Sequence, residues 1–267
     1  MGRLSLLFQK MARNTRQKKV ILVTNDDGIQ ALGLKALADH LSAVGDVYVV
    51  APDRERSAVG HSLTLHRPLR LIEREPRWSA VEGTPTDCVL LAYHRVLPEK
   101  PAIVFSGINY GYNLGDDVTY SGTVSAAFEA TLLGLPAVAV SIGREGKKIR
   151  YDVAAKFAVK LARKILKEGL PQDTLLNVNI PNVPETRLKG VRITRQGQRA
   201  YGDVIVERID PRGRPYFWIG NGEPTWKDDR GTDINAIRAN RISITPVHLD
   251  LTNHTAIGKL KDWKLRV

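Results

Sequence analysis

The sequence predicts an α/β protein: a Rossmann-like, mostly parallel sheet with helices on both faces, followed by a C-terminal β-hairpin or extended arm. Three observations carry that expectation. From Val20 onward, short β-branched apolar runs alternate with stretches whose apolar residues recur every three or four positions, the pattern of strands joined by crossover helices. The strand-like runs are apolar at consecutive positions, as in strands covered on both faces. After about residue 185 the pattern changes to alternating segments broken by Gly and Pro, which suits hairpin arms.

The elements follow in order. Val20-Ile21-Leu22-Val23-Thr24 is a buried strand, and Leu34, Leu37, Ala38 and Leu41 fall on one face of the helix after it. Val47 to Ala51 is the second strand, and Pro52 cannot continue it centrally. Thr84 to Tyr93 reads as a helix with Thr84 as N-cap and Pro85 at its first position. Ala102 to Phe105 is a strand. Val124 to Leu133 is a helix stopped by Gly134 and Pro136, and Ala137 to Val140 is a strand. Tyr151, Ala154, Ala158, Leu161 and Ile165 mark a long amphipathic helix with Gly169 past its end, and Leu175 to Ile180 is a further strand. Beyond it, Val191–Thr194, Val204–Val206 and Tyr216–Ile219 read as hairpin arms, Asp233–Ala239 as a short helix and Ile242–Val247 as a late strand.

Composition bounds the class. In 267 residues, 43% are hydrophobic and 25% charged, an ordinary globular balance that excludes a disordered, collagenous or coiled-coil chain. Cys88 is the one cysteine, which excludes an internal disulfide and any multi-cysteine zinc or iron–sulfur site. No apolar run reaches the roughly 18 residues of a membrane-spanning helix. Lys and Arg exceed Asp and Glu by 40 to 28, a net charge of +12. The excess is spread out, as on a solvated basic surface; attraction of phosphate-bearing partners is the alternative. No RNP-type aromatic motif or KH-type context supports nucleic-acid binding. Residues 1–18 are expected to be a poorly ordered basic extension ahead of one domain, 19–267, with its core over about 20–185 and its hairpin and arm over about 186–267. Leu4 to Phe8 is too short for a signal-peptide core and no small-residue cleavage site follows, so the expected location is cytoplasmic.

Polar residues gather at the carboxyl ends of the predicted strands, where open α/β sheets bind ligands. Thr24-Asn25-Asp26-Asp27-Gly28 follows the first strand, Asp53-Arg54-Glu55-Arg56-Ser57 the second, and Ser106-Gly107-Ile108-Asn109-Tyr110-Gly111-Tyr112-Asn113 the strand at 102–105. Adjacent carboxylates repel unless a cation lies between them, so Asp26 and Asp27 are either a divalent-metal pair or the acids of an Asp-Gly turn. The rim offers hard oxygen donors, Asp26, Asp27, Ser57 and Asn109, which favour Mg²⁺, Mn²⁺ or Ca²⁺ over zinc. The Gly- and Asn-rich segment 106–117 can present donors; Ser106, Gly107 and Asn113 within it are candidate phosphate-binding residues. Ser121, Gly122 and Thr123, ahead of the helix from Val124, are either an anion-binding helix start or an ordinary N-cap. No GxxxxGK[ST] loop is present, which disfavours P-loop ATP hydrolysis.

Four stretches in chain order, Leu22-Val23-Thr24-Asn25-Asp26-Asp27-Gly28, Ala51-Pro52-Asp53-Arg54-Glu55-Arg56-Ser57-Ala58, Gly83-Thr84-Pro85-Thr86-Asp87-Cys88 and the run from Ser106 through Leu114-Gly115-Asp116-Asp117-Val118 to Tyr120-Ser121-Gly122-Thr123-Val124, resemble the SurE (survival protein E) family of divalent-metal-dependent 5′-nucleotidases and phosphatases over roughly residues 20–180. The resemblance implies that Asp26, Asp27, Ser57 and Asn109 hold one divalent ion, Mg²⁺ or Mn²⁺, and that nucleoside 5′-monophosphates are hydrolysed. It also implies a homodimer or homotetramer built through the C-terminal arm. Asp26 and Asp27 are the candidate catalytic acids; His61 is either a base or a packing histidine, and Asp116-Asp117 either support the site or cap a helix. The wider alternative is a general phosphatase or exopolyphosphatase. A haloacid-dehalogenase-like enzyme is disfavoured because the first strand ends in Asp-Asp-Gly, without the Asp-x-Asp that chemistry needs. A non-catalytic nucleotide or RNA module, or a purely structural protein, leaves the Asp pair unexplained.

Overall fold

A computed structural model describes residues 18–200, 205–219, 225–227 and 229–265; the expected basic extension up to residue 17, and Val204, lie outside the described residues. The central nine-stranded sheet is built from β1 (Val20–Thr24), β2 (Asp46–Pro52), β3 (Leu71–Glu75), β4 (Trp78–Val81), β5 (Ile103–Tyr110), β6 (Ala137–Ile142), β7 (Thr174–Ile180), β8 (Val191–Ile193) and β13 (Ile242–His248). Their order across it is β3-β4-β2-β1-β5-β6-β7-β13-β8. The six strands β4-β2-β1-β5-β6-β7 are mutually parallel. Taken in chain order they stand third, second, first, fourth, fifth, sixth, the doubly wound arrangement whose direction reverses between β1 and β5. The antiparallel strands lie outside them: β3 beside β4, and β13 beside β7.

Period-two alternation within the buried strands divides the core. Ile21 and Val23 of β1, Ile103 and Phe105 of β5, and Val138 and Val140 of β6 pack with α1 (Leu32–Leu41) and α4 (Tyr151–Glu168). Leu22, Val104, Ala137 and Ala139 face the other way, onto α2 (Pro85–Leu91) and α3 (Gly122–Leu132). The start of α2 is a capping box: the Thr84 hydroxyl accepts from Asp87 N at 3.1 Å, and the Asp87 carboxylate accepts from Thr84 N at 2.8 Å.

Four features depart from the sequence expectation. β5 continues past Phe105 to Tyr110, so Ser106, Gly107 and Asn109 lie on a strand, one whose pairing with β6 slips between Ser106 and Asn109. Gly107 has φ 137° within this irregularity, the Gly107–Ile108 peptide is cis, and a β-carbon at Gly107 would come 2.2 Å from Val140 O. β3 and β4 form the sheet edge where charged residues such as Glu73, Arg74 and Glu75 hid a strand. The segment at Val191 is no hairpin arm: β8 joins the main sheet beside β13, where the Thr194 hydroxyl bonds Ser243 Oγ and Thr245 Oγ1 at 2.7 and 2.8 Å. A helix, α6 (His254–Lys261), follows β13.

The hairpin itself is present. After β9 (Arg199–Ala200), β10 (Ile205–Ile209) pairs antiparallel with β11 (Pro215–Ile219), and the Asp210 carboxylate closes the turn by accepting from Arg212 N and Arg214 N. β12 (Thr225–Trp226) pairs with β9, and α5 (Asp233–Arg238) precedes β13.

Candidate active site

The reversal point between β1 and β5 is where an open α/β sheet leaves a crevice, and three rim segments meet there. Buried Asn25 folds the turn after β1 back on itself: its Nδ2 donates to Gly28 O at 3.0 Å and its Oδ1 accepts from Gly28 N at 3.2 Å. Gly28, at φ 97°, lets the Arg54 backbone approach so closely that a β-carbon would lie 2.9 Å from Arg54 C. Arg56 N then donates to Asp26 O at 2.7 Å, joining the segment after β2 to the one after β1.

Asp26 is only 5% exposed, and the start of α3 covers it. The Thr123 hydroxyl donates to its Oδ1, and a β-carbon on Gly122 would come 2.8 Å from Asp26 Cβ. Burial pushes the Asp26 carboxyl up to about 6, with the neighbouring Asp27 charge adding to the rise and the Thr123 hydroxyl opposing it. Asp27 is half-buried and its Oδ2 accepts from Tyr110 N at 3.2 Å. Burial and the Glu55 charge raise its carboxyl, while the Tyr110 N–H and the Arg144 charge pull it down.

The other expected residues fall as follows. Ser57 is exposed on the same rim and donates its hydroxyl proton to Glu55 Oε1 at 2.7 Å, not to either aspartate. Asn109 uses its Nδ2 on Gly111 O at 2.9 Å, which leaves Oδ1 as its acceptor. Ser106 Oγ is buried without a partner, as is Thr24 Oγ1, its register neighbour across β1 and β5. Asn113 is held inside the rim: its backbone N–H donates to Asn179 Oδ1 at 2.9 Å, its Nδ2 donates to Ser141 Oγ at 2.8 Å, and its carbonyl accepts from Asn177 and Asn179. Ser121 is the N-cap of α3, accepting from Val124 N at 3.1 Å. His61 turns away to a buried carboxylate in mid-α3, with Nε2 2.8 Å from Glu129 Oε2 and its ring on Phe128. Asp116 and Asp117 lie on the 3-10 turn Gly115–Thr119.

Three site residues escaped the sequence analysis: Glu55, Tyr110 and Arg144. Only their position in or near a rim segment could have drawn attention to them. Among the described residues no group of three or more His, Cys, Asp and Glu side chains converges. A bound ion would therefore be held by two carboxylates and neutral oxygens. A divalent cation fits that donor set: Asp26 is a buried acid raised by burial with no cation against it, Asp27 beside it is raised despite the Arg144 charge, and the Asn109 oxygen lies one residue from the amide that contacts Asp27.

Known proteins agree with this architecture. The family described as "Survival protein SurE" matches residues 21–203. The chain is 59% identical to the 5′-nucleotidase SurE of Geobacter sulfurreducens over 245 residues, 92% of this chain and 94% of that protein. It is 57% identical to the 5′-nucleotidase SurE of Geotalea uraniireducens over 92% of this chain and 99% of that protein. The crystal structure of the SurE protein from Aquifex aeolicus superposes with a TM-score of 0.84 at 46% identity, covering 92% of this chain and all of that one. Matched by the family over residues 21–203 and by these relatives over nine-tenths of its length, this chain belongs to the SurE family.

Proposed function

We propose that the protein is a divalent-metal-dependent 5′-nucleotidase, hydrolysing nucleoside 5′-monophosphates to nucleoside and phosphate. The observation that carries the proposal is buried Asp26, seated against the first turn of α3 at the sheet's reversal point with Asp27 next to it in the chain. The names of the relatives support the substrate class. Asp26, Asp27, Ser57 and Asn109 would hold one Mg²⁺ or Mn²⁺. Such an ion neutralises charge on phosphoryl oxygens and lowers the pKa of water.

The chain's own groups account for the rest. The first turn of α3 offers backbone N–H groups and the positive end of a helix dipole to phosphoryl oxygens. Ser121 and Thr123 sit in that turn, with Gly122 allowing close approach. The Thr123 hydroxyl fixes one oxygen of Asp26, leaving the other for the reaction. Asp27, held by Tyr110 N, or Asp26 would accept the proton from attacking water. Ser106 Oγ and Gly107 lie below the rim as further phosphate-binding candidates, and Asn113 anchors the rim segment that carries them. In-line attack by water, with positioning and charge stabilisation supplying most of the rate, completes the proposal.

A homodimer or homotetramer through the C-terminal arm belongs to the same proposal. The exposed apolar side chains of Ile205, Ile209, Phe217, Trp218 and Ile219 on the hairpin support it. No helix among the described residues is long and apolar enough to cross a membrane, and a cytoplasmic location is part of the proposal.

The test measures phosphate release from nucleoside 5′- and 3′-monophosphates, polyphosphate and an aryl phosphate, with EDTA and after return of Mn²⁺ or Mg²⁺. Activity should vanish on chelation, return with the ion, and be lost in Asp26→Asn and Asp27→Asn while the fold survives. Full activity in both variants, or after exhaustive chelation, overturns the assignment.

A further inference from the structure

The rim carries a stacked pair that the proposed hydrolysis does not use. Tyr110, the last residue of β5, is 43% exposed although its backbone N–H is tied to Asp27. The guanidinium of Arg144 lies over its ring, 4.9 Å from the centroid, and Arg144 Nε donates to Tyr110 O at 2.9 Å. The register explains the meeting: Tyr110 pairs with Ile142 at the end of β6, and Arg144 follows two residues later. Gly111 makes the room, since a β-carbon there would come 2.6 Å from Arg144 Nε and 3.0 Å from its Cζ. The guanidinium and the ring thus meet on the rim, held by the bonds of Arg144 Nε to Tyr110 O and of Tyr110 N to Asp27, beside Asn109.

An aromatic ring with a guanidinium laid on it is not needed to grip a phosphate. It is the surface on which a nucleobase stacks, with the cation adding a π contribution. We infer that the Tyr110–Arg144 stack is the nucleobase subsite, holding the base of a nucleoside monophosphate while its phosphate lies at Asp26 and Asp27. The inference rests on the hydrolase assignment and deepens it: the stack distinguishes a nucleotide from a bare sugar phosphate. No base is favoured over another, because every base presents a π face.

The test compares adenosine 5′-monophosphate with ribose 5-phosphate, which differ by the base. With Mn²⁺ present, kcat/KM and, independently of turnover, equilibrium affinity by calorimetry are measured for both in the wild type, Tyr110→Ala, Tyr110→Phe and Arg144→Ala. The wild type should prefer the nucleotide. Tyr110→Ala should reduce that preference roughly tenfold, Tyr110→Phe should retain it, and Arg144→Ala should reduce it less. Arg144→Ala removes an exposed side chain and leaves Tyr110 and the β5–β6 pairing in place, so it keeps the test decisive if Tyr110→Ala fails to fold; its loss of charge near Asp27 acts on both substrates and cancels in their ratio. Equal preference in wild type and in the Ala variants, or a loss that falls alike on both substrates, overturns the subsite. A wild type that binds the nucleotide in preference but hydrolyses neither compound sinks the hydrolase assignment and leaves the subsite standing.

Discussion

Replacing Asp26 with Asn should remove catalysis and yet stabilise the metal-free protein, by an amount that grows with pH. The Asp26 carboxyl ordinarily titrates at 3.8 and is pushed up to about 6 in the fold, chiefly by burial. A raised value means that the folded state binds the proton more tightly than the unfolded chain. The neutral acid's contribution is therefore complete below 3.8 and is lost as pH rises through about 6. A shift of about two units corresponds to ~3 kcal/mol, and the near-complete burial of Asp26 means that solvent does not screen it away. Asn keeps an oxygen to accept from Thr123, but its new N–H₂ group lacks a natural acceptor, which takes back about 1 kcal/mol. The net gain above about pH 7 is then roughly 2 kcal/mol, or about 4–8 °C in Tm for a chain of this size. Urea and thermal unfolding of wild type and Asp26→Asn in EDTA, from about pH 4 to about pH 8, would measure it. A difference that stays flat with pH, or a variant that is less stable at every pH, would show that Asp26 is not a burdened acid.

The same titration governs metal loading: Mn²⁺ affinity should climb as pH rises to about 6 and then level off, with proton release on binding, measurable by calorimetry in buffers of different ionisation enthalpy. Gly122→Ala should leave a folded protein with activity lower by roughly tenfold to a hundredfold, because its β-carbon would meet Asp26 Cβ at 2.8 Å and push the acid from its place. Asp233→Ala should cost about 3 kcal/mol in thermal unfolding, since the buried carboxylate accepts from Gly115 N, Gly197 N and Ile234 N. Faster amide exchange at Gly115 and Gly197 would accompany that loss.

Legibility in the sequence tracked the physical signal. Strands such as β1 and β6 are covered on both faces and therefore spell out unbroken apolar runs, and α4 shows a helical stripe because one face alone is buried. β3 was hidden because an edge strand leaves most of its residues in solvent and can be as charged as Leu71–Glu75. The end of β5 was hidden for another reason: Ser106, Gly107 and Asn109 sit at a pairing irregularity, where glycine and polar residues mimic a loop. Asp26 and Asp27 stood out because adjacent acids at a strand end need an explanation. Arg144 did not, because its meeting with Tyr110 spans 34 positions and depends on the β5–β6 register, which no local pattern encodes. His61 was ambiguous in the same way until Glu129, 68 positions away, was found against it.

Asp26 shows why site and scaffold cannot be separated here. Its carbonyl receives the backbone N–H of Arg56 and thereby fixes the segment that carries Ser57, while its carboxylate receives Thr123 and seats the first turn of α3. The residue that would grip the ion thus also joins three of the segments forming the crevice. A variant that loses activity at this position is consequently ambiguous unless its fold is measured too. Asn is the informative substitution because it keeps the backbone link and an acceptor for Thr123 while removing the charge. If activity disappears while stability rises, the carboxylate is there for chemistry, and the scaffold around it bears the energetic cost.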